Sequence, residues 1–154
     1  MALGIAQGAY EEALTYATQR AQFGCPIAEF QGLQWMLADM SIGLAASRAL
    51  LHAAAASAVD AASPICARRP RPKSWPRKQP TKVTNDALQI HGSSAYSRRR
   101  PLERHVRDAR MFAIAGGTAQ ILRTQVAGAI LGIKTPQTRD GHVRRGEARD
   151  VAAQ

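Results

Sequence analysis

Residues 19–37 read QRAQFGCPIAEFQGLQWML, and they join two helical patterns through a turn. A helix rich in alanine and glutamate is predicted to end at Arg20, the chain turns through Gly24 and Pro26, and a second helix begins near Ala28. The turn collects a guanidinium, two carboxamides and two aromatic rings, carried by Arg20, Gln22, Phe23, Phe30 and Gln31. Such a cluster suits an anionic, aromatic ligand such as a dinucleotide.

Apolar residues recur at helical spacing along most of the chain. The pattern predicts helices over residues 2–19, 29–60 and 81–90. Pro101 can begin a short helix, and Thr118 is placed to cap a last one. Because no strand pattern competes with these helices, the sequence predicts an all-α fold, an up-down four-helix bundle.

Composition limits the class of protein. The 154 residues suit one domain, and 45% of them are apolar but only 5% aromatic, which favours closely packed helices. No apolar run is long enough to span a membrane, and the N-terminus lacks the features of a signal peptide. Cys25 and Cys66 lie far apart and are predicted to be free thiols. These features predict a cytoplasmic protein without a membrane partner.

Residues 64–80 conflict with a bundle, because they hold five of the eight prolines. A proline inside a helix costs about 3 kcal/mol or more. The sequence therefore predicts a bundle whose third helix is disrupted at 64–80. Such a conflict between local sequence and global fold requires a cause.

One cause is a local shift of reading frame. A synonymous coding string for residues 65–80, read two bases later, encodes LREAAKAKVMASETA, a strong helix former without proline. We hypothesise a frame shift, restored near Thr81, from mutation, gene decay or sequencing error. The alternative is a genuine Pro/Arg linker or basic docking loop.

The net charge of +10 raises nucleic acid as a possible partner. However, six basic residues fall within 65–80 without an acid, and the rest of the chain shows no basic stripe with interleaved aromatic residues. Nucleic acid is therefore not favoured. A basic helical interaction module that uses residues 68–78 stays open as an alternative function.

Three runs of sequence carry a family resemblance. Residues 20–31 show R-x-Q-F-G-x-P-I-x-x-F-Q, residues 89–110 read QIHGSSAYSRRRPLERHVRDAR, and residues 116–123 read GGTAQILR. In this order they resemble the C-terminal helical domain of the acyl-CoA dehydrogenases, which are flavoenzymes of fatty acid metabolism. The resemblance predicts a helical bundle over residues 1–133. Residues 134–154 are polar, charged and nearly free of large apolar side chains, which predicts a disordered tail.

The resemblance implies FAD as the cofactor. The residues that it places at the cofactor are Arg20, Gln22, Phe23, Phe30, Gln31, Gln89, Gly92, Thr118 and Gln120, with Gln89 reaching the ADP part across a subunit interface. Ser93 and Ala95 stand where the family carries glycine, and Arg99 where it commonly carries an acid. In the family, the full-length enzyme dehydrogenates acyl-CoA thioesters and passes electrons to an electron-transfer flavoprotein, and the resemblance implies a homo- or hetero-oligomer.

The resemblance implies no catalytic residue in this chain. Gly116 stands where most family members carry the glutamate that removes the α-proton of the substrate, and glycine cannot act as a base. The sequence therefore predicts a fragment of an FAD-dependent acyl-CoA dehydrogenase that is inactive alone, beginning at an internal methionine. The alternative within the family is a non-catalytic subunit of a hetero-oligomeric dehydrogenase. The spacing of the histidines predicts no metal site.

Overall fold

A computed structural model describes residues 1–59, 71–115 and 117–131, with the side chains of all of these except 57–59, 71–77 and 129. The predicted tail over 134–154, the part of the proline-rich segment over 64–70, and Gly116 lie outside the described residues. The helices are α1 (Ala2–Gln19), α2 (Gln31–Val59), α3 (Arg71–His91), α4 (Ser93–Tyr96), α5 (Leu102–Phe112) and α6 (Ala119–Leu131). The predicted all-α bundle is confirmed.

The core forms where α1 packs along α3, with α2 and α5 beside them. Four alanines on one face of α1 are fully buried, and α3 supplies Val83 and Ala87 to the same cluster. Met40 and Leu44 enter from α2, and Leu102 from α5. The buried stripe of α1 consists of Ala6, Ala9, Ala13 and Ala17. Small side chains at this spacing let the helices approach closely.

A small hairpin between α1 and α2 was not predicted from the sequence. Strands β1 (Ala21–Gln22) and β2 (Cys25–Pro26) pair antiparallel, followed by a 3-10 turn over Ile27–Glu29. Phe23 and Gly24 make the turn with φ of 53° and 86°. Two consecutive positive φ angles are typical of the turns that suit tight hairpins. A two-residue strand has too few positions for an alternating pattern, so sequence periodicity could not reveal it.

Helix α3 corrects one prediction. The backbone is helical from Arg71, so the expectation that no helix survives in the proline-rich segment is wrong for residues 71–80. Pro72 lies in the first turn, where its missing N–H would have had no helical partner. Pro76 and Pro80 remove one backbone hydrogen bond each, and Pro80 is buried. Packing of the rest of α3 against α1, α2 and α5 outweighs this local loss.

The remaining helices follow the predicted signals. Pro101 precedes α5 directly, and Thr118 caps α6, since its Oγ1 accepts a hydrogen bond from the backbone N–H of Ile121 at 3.3 Å. The helix predicted over 81–90 ends at His91, and residues 93–96, for which the sequence predicted no helix, form the one-turn helix α4 after Gly92. Helix α6 packs against α3.

Candidate functional site

The hairpin after α1 presents the first group of predicted cofactor residues. The backbone of Arg20 is held on both sides: its N–H donates to the carbonyl of Tyr16, and its carbonyl accepts from the N–H of Ile27, both at 2.8 Å. Its side chain is exposed, and within the described residues no carboxylate lies within 4.0 Å of it. The guanidinium is therefore fixed at its base and open to an anionic group.

Phe23 is the most unusual residue of this hairpin. Its φ of 53° lies in the left-handed region, and its side chain is 95% exposed. The left-handed conformation costs a non-glycine residue about 1–2 kcal/mol. Its ring meets that of the half-buried Phe30 edge to face, with centroids 6.1 Å apart. Because the ring is exposed and its backbone is strained, Phe23 does not stabilise the fold of this chain alone. This favours a role in binding.

Two carboxamides complete this group. Gln22 lies in β1, where it pairs with Cys25, and Gln31 is the first residue of α2. Both side chains are exposed. The predicted residues Arg20, Gln22, Phe23, Phe30 and Gln31 therefore lie within one short segment of the surface, around the hairpin.

The C-terminal end of α3 carries the second group. Gln89 is exposed, and Gly92 adopts a φ of 60° and a ψ of −140°, a conformation essentially restricted to glycine. The ring of His91 stacks on that of Tyr16 with centroids 4.2 Å apart. Because Tyr16 lies one turn before Arg20, this contact places the end of α3 beside the hairpin, at the same end of the bundle.

His91 is buried at this junction. Its Nδ1 lies 2.8 Å from the carbonyl oxygen of Ala87, and since a carbonyl can only accept, Nδ1 carries the proton. Nε2 is then an acceptor, and it has no partner among the described residues. Burial lowers the pKa of His91 below its ordinary 6.5, and the charge of Arg100 lowers this pKa further. The hydrogen bond to Ala87 and the charge of Glu12 oppose this lowering without reversing it.

The lowered pKa of His91 predicts a loss of stability in acid. Unfolding restores the ordinary pKa, so the unfolded chain binds more protons than the folded chain once the pH falls below 6.5. We expect the free energy of unfolding to be smaller at about pH 5 than at about pH 7.5, and His91→Phe to reduce this difference. Urea denaturation at both pH values measures it, with His52→Phe on the exposed surface of α2 as the matched control. A difference that His91→Phe leaves unchanged contradicts the assignment.

A third group lies in a groove at the start of α6. The groove has a volume of about 560 Å³ and contains the predicted residues Thr118 and Gln120. Its other lining side chains include the cations Lys78, Lys82, Arg110 and Arg123, the carboxamides Gln79 and Asn85, and the apolar Ala113 and Ile114. The groove is therefore positively charged, with an apolar wall on the side of α5.

The structure does not bring the nine predicted residues into one site. Lys82, in the groove, and Gln89, beside the hairpin, are seven positions apart in α3, which corresponds to about 10 Å along the helix axis. The hairpin and the end of α3 form one group, and the start of α6 forms another. A ligand that touches both groups on one chain must be extended, or a second chain must supply one group.

Sequence reasoning missed Lys82, Arg110 and Arg123 as cations of one groove, whereas Lys78 belongs to the basic segment over 68–78. Arg110 is the last residue of the family motif over 89–110, and Arg123 is the last residue of the family motif over 116–123. Both motifs were noted for their resemblance to the family and not for their charge. Neither arginine has a spacing that indicates a shared site. Their proximity depends on the packing of α3, α5 and α6 around one groove.

Over residues 1–59, 71–115 and 117–131, no group of three or more His, Cys, Asp or Glu side chains could hold a metal ion. In the same part of the chain, no helix combines the length and the apolar character that crossing a membrane requires.

Comparison of the sequence with known protein families identifies the helical bundle that carries the three motifs. A family model described as the acyl-CoA dehydrogenase C-terminal domain matches residues 1–131. The chain belongs to the acyl-CoA dehydrogenase family. The resemblance inferred from the three motifs is thereby confirmed.

Relatives within the acyl-CoA dehydrogenase family differ in their degree of similarity. The 3-sulfinopropanoyl-CoA desulfinase of Cupriavidus necator is 67% identical over 141 residues, which are 92% of this chain and 35% of the relative. The mitochondrial short-chain specific acyl-CoA dehydrogenase of Bos taurus is 42% identical over 130 residues, 84% of this chain and 31% of the relative. The structure of butyryl-CoA dehydrogenase from Megasphaera elsdenii superposes with a TM-score of 0.79 at 36% identity, over 84% of this chain and 34% of that one.

The chain thus spans about a third of the length of the relatives that it matches. The identity to the desulfinase is well above the identity to the dehydrogenase of Bos taurus. Substrate and reaction type are therefore questions that the family alone does not answer.

Proposed function

We propose that the chain is the C-terminal helical part of an FAD-containing enzyme that removes the sulfino group from a short acyl-CoA thioester. The observation that carries this proposal is the 67% identity to the 3-sulfinopropanoyl-CoA desulfinase of Cupriavidus necator over 92% of the chain. The corresponding identity to the short-chain dehydrogenase is 42%. The proposal replaces the general dehydrogenation predicted from the sequence with the reaction of one branch of the family.

Glycine at position 116 agrees with this branch. Dehydrogenation needs a carboxylate to remove the α-proton, and position 116 holds glycine. Loss of a sulfino group breaks the bond between carbon and sulfur, leaves the electron pair on carbon, and returns a proton to it, while water hydrates the released sulfur dioxide. No α-hydrogen is removed and no external electron acceptor is needed. In this branch an electron-transfer flavoprotein is not a required partner.

In the proposed enzyme, this chain binds part of FAD and forms contacts between subunits. In the proposal, Arg20 pairs with a phosphate, the strained ring of Phe23 lies against the cofactor, and Gln22, Gln31, Gln89 and the Gly92 turn surround it. Thr118 and Gln120, at the start of α6, contact another part of FAD, and the ring of Phe30 packs against the ring of Phe23. Because the two groups lie apart along α3, we propose that each FAD is held by residues from two copies of the chain or from a hetero-oligomer.

A chimera tests the reaction. Residues 1–131 of this chain replace the matching part of the Cupriavidus necator desulfinase, and sulfite release from 3-sulfinopropanoyl-CoA is measured along with bound FAD. We expect FAD binding and sulfite release, the unmodified relative being the positive control. Dehydrogenation of butyryl-CoA without sulfite release supports a general dehydrogenase instead. A second chimera, in which the 15-residue proline-free sequence LREAAKAKVMASETA replaces residues 66–80, separates failure to fold from the wrong reaction and tests the frame-shift hypothesis.

Phe23 gives a test of the cofactor site by itself. In the chimera, Phe23→Gly is expected to weaken FAD binding about tenfold, because stacking of an aromatic ring on a base is worth about 1–3 kcal/mol. The same change relieves the left-handed strain at a φ of 53°, so the midpoint of thermal unfolding of the FAD-free protein is expected not to fall. Phe23→Tyr keeps the ring and is the matched control. Unchanged FAD affinity in Phe23→Gly contradicts the assignment.

The basic segment over residues 68–78 supports a second candidate, a module that binds an acidic partner. The side chains of residues 68–77 lie outside those described, and Lys78 lines the groove. This candidate stays a prediction. Salt-sensitive binding that disappears on neutralising these six charges would favour it.

A further inference from the structure

The junction between α1 and the end of α3, beside the hairpin, contains two buried polar atoms without partners. Within the described residues, neither Oε2 of Glu12 nor Nε2 of His91 has a hydrogen-bond partner. Glu12 lies one turn before Tyr16 on α1, and the ring of Tyr16 stacks on that of His91, so both atoms belong to one junction. Buried polar atoms are nearly always hydrogen-bonded in native proteins, so two unpartnered ones at one junction require a physical cause.

One added proton would satisfy both atoms. Because Nδ1 of His91 carries its proton for the carbonyl of Ala87, Nε2 and the Glu12 carboxylate are both acceptors while the ring is neutral. A proton taken up from solvent forms an N–H bond at Nε2 and turns this nitrogen into a donor, which matches the unpartnered oxygen of Glu12. Over the described residues, neutral His91 has no carboxylate within 4.0 Å. The ring must therefore move to form this pair.

The charges around His91 act in opposite directions. Arg100, in the segment between α4 and α5, lies over the ring of Tyr16 with its guanidinium carbon 5.4 Å from the ring centroid. Burial of His91 and the charge of Arg100 disfavour the protonated ring, whereas the charge of Glu12 and the hydrogen bond to Ala87 favour it. Helix α4 contributes no ionic side chain. Protonation would add a second cation beside the ring that Arg100 already contacts, so the stack suits the neutral form of His91.

Hydrogen bonds connect this junction to the hairpin. The carbonyl of His91 accepts from Oγ of Ser94 at 2.8 Å, so the backbone is held by α4 and the ring is the part free to turn. The carbonyl of Tyr16 accepts from the N–H of Arg20 at 2.8 Å, and the carbonyl of Arg20 accepts from the N–H of Ile27 at the same distance. A displacement of Tyr16 therefore has a direct route to Arg20, the residue before β1.

We propose that His91, Tyr16, Glu12 and Arg100 form a proton-sensitive latch at this junction. While His91 is neutral, its stack on Tyr16 holds the end of α3 beside the hairpin. Uptake of one proton at Nε2 turns the ring towards Glu12, exchanges the stack for an ion pair, and loosens the hairpin. The latch goes beyond the proposed function, because it sets the position of the hairpin whichever ligand binds there.

A pH titration of the full chain by NMR, from about pH 8 to about pH 5, tests the latch. We expect the backbone N–H signals of Arg20 and Ile27 to shift with the same midpoint as the ring of His91, below pH 6.5. His91→Phe keeps a ring on Tyr16 that cannot take up a proton, so the hairpin signals are expected to lose this transition. His52→Phe, on the exposed surface of α2, is the matched control and is expected to retain it.

Two charge variants distinguish a latch from a histidine that is merely buried. Glu12→Gln removes the ion-pair partner, so the shared midpoint of the ring and hairpin signals is expected at lower pH than in the native chain. Arg100→Gln removes the opposing charge, so the same midpoint is expected at higher pH. Hairpin signals that do not follow the titration of His91, or a midpoint that Glu12→Gln leaves unchanged, overturn the latch. If His91→Phe does not fold, these two variants decide the question.

Discussion

Replacing Leu102 with alanine is expected to lower the free energy of unfolding by about 2–5 kcal/mol. Leu102 is fully buried at the first turn of α5, in the cluster formed with α1 and α3. Truncation removes apolar contact and leaves a cavity that rigid helices around it fill only in part. The position also bears on the candidate site, because α5 carries Arg110 and ends at the apolar wall of the groove.

The effect of Leu102→Ala is measured by urea denaturation at one protein concentration. Leu51→Ala on α2 is the matched control, since the same side chain is removed from a position that is 47% exposed. We expect the control to change the free energy of unfolding by less than about 1 kcal/mol. Equal losses in both variants would show that α5 does not complete the core.

Enlarging Ala13 to leucine is expected to cost about 1–3 kcal/mol, through overpacking rather than through a cavity. Ala13 has no exposed surface and lies in the middle of the alanine stripe of α1, where that helix packs along α3. Leucine is nearly as good a helix former as alanine, so the loss does not come from helix propensity. It comes from separating α1 and α3.

The consequence of Ala13→Leu should extend to the candidate site. Tyr16 and His91 stack between the same two helices, so a larger separation weakens the contact that places the end of α3 beside the hairpin. Thermal and urea unfolding measure the stability, and Ala45→Leu on the exposed surface of α2 makes the same change away from the core. A variant Ala13→Leu as stable as Ala45→Leu would contradict close packing of α1 on α3.

The residues that stabilise this domain differ from those proposed to bind the cofactor. The alanine stripe and Leu102 act within one chain. Phe23, Arg20 and the groove cations are exposed and add little to the packing of that chain. The proposed reaction therefore depends on surfaces that remain uncovered in the single chain, which agrees with a chain that spans about a third of the length of its relatives.

Much of the fold could be predicted because local signals are strong in long helices. The bounds of α1 were predicted as observed, and Pro101 and Thr118 marked the starts of α5 and α6. The hairpin was missed because it is too short for a periodic pattern, and its positive φ at Phe23 is not typical of phenylalanine. The helical backbone over residues 71–80 was missed because the proline rule counts only the local loss of hydrogen bonds. Packing against three other helices changes that balance.

The residues of the candidate site divide in the same way. The sequence by itself determined the family and the helical class, and it predicted the individual site residues at the hairpin, the end of α3 and the start of α6, because each is carried by a short motif or by helical spacing. Only the tertiary structure decided that these residues form two groups apart along α3, and that Lys82, Arg110 and Arg123 share one groove. The physical reason is that spacing along a helix reports which residues lie on one face of that helix. The packing of separate helices decides which faces meet, and charges brought together in this way carry no signal in the local sequence.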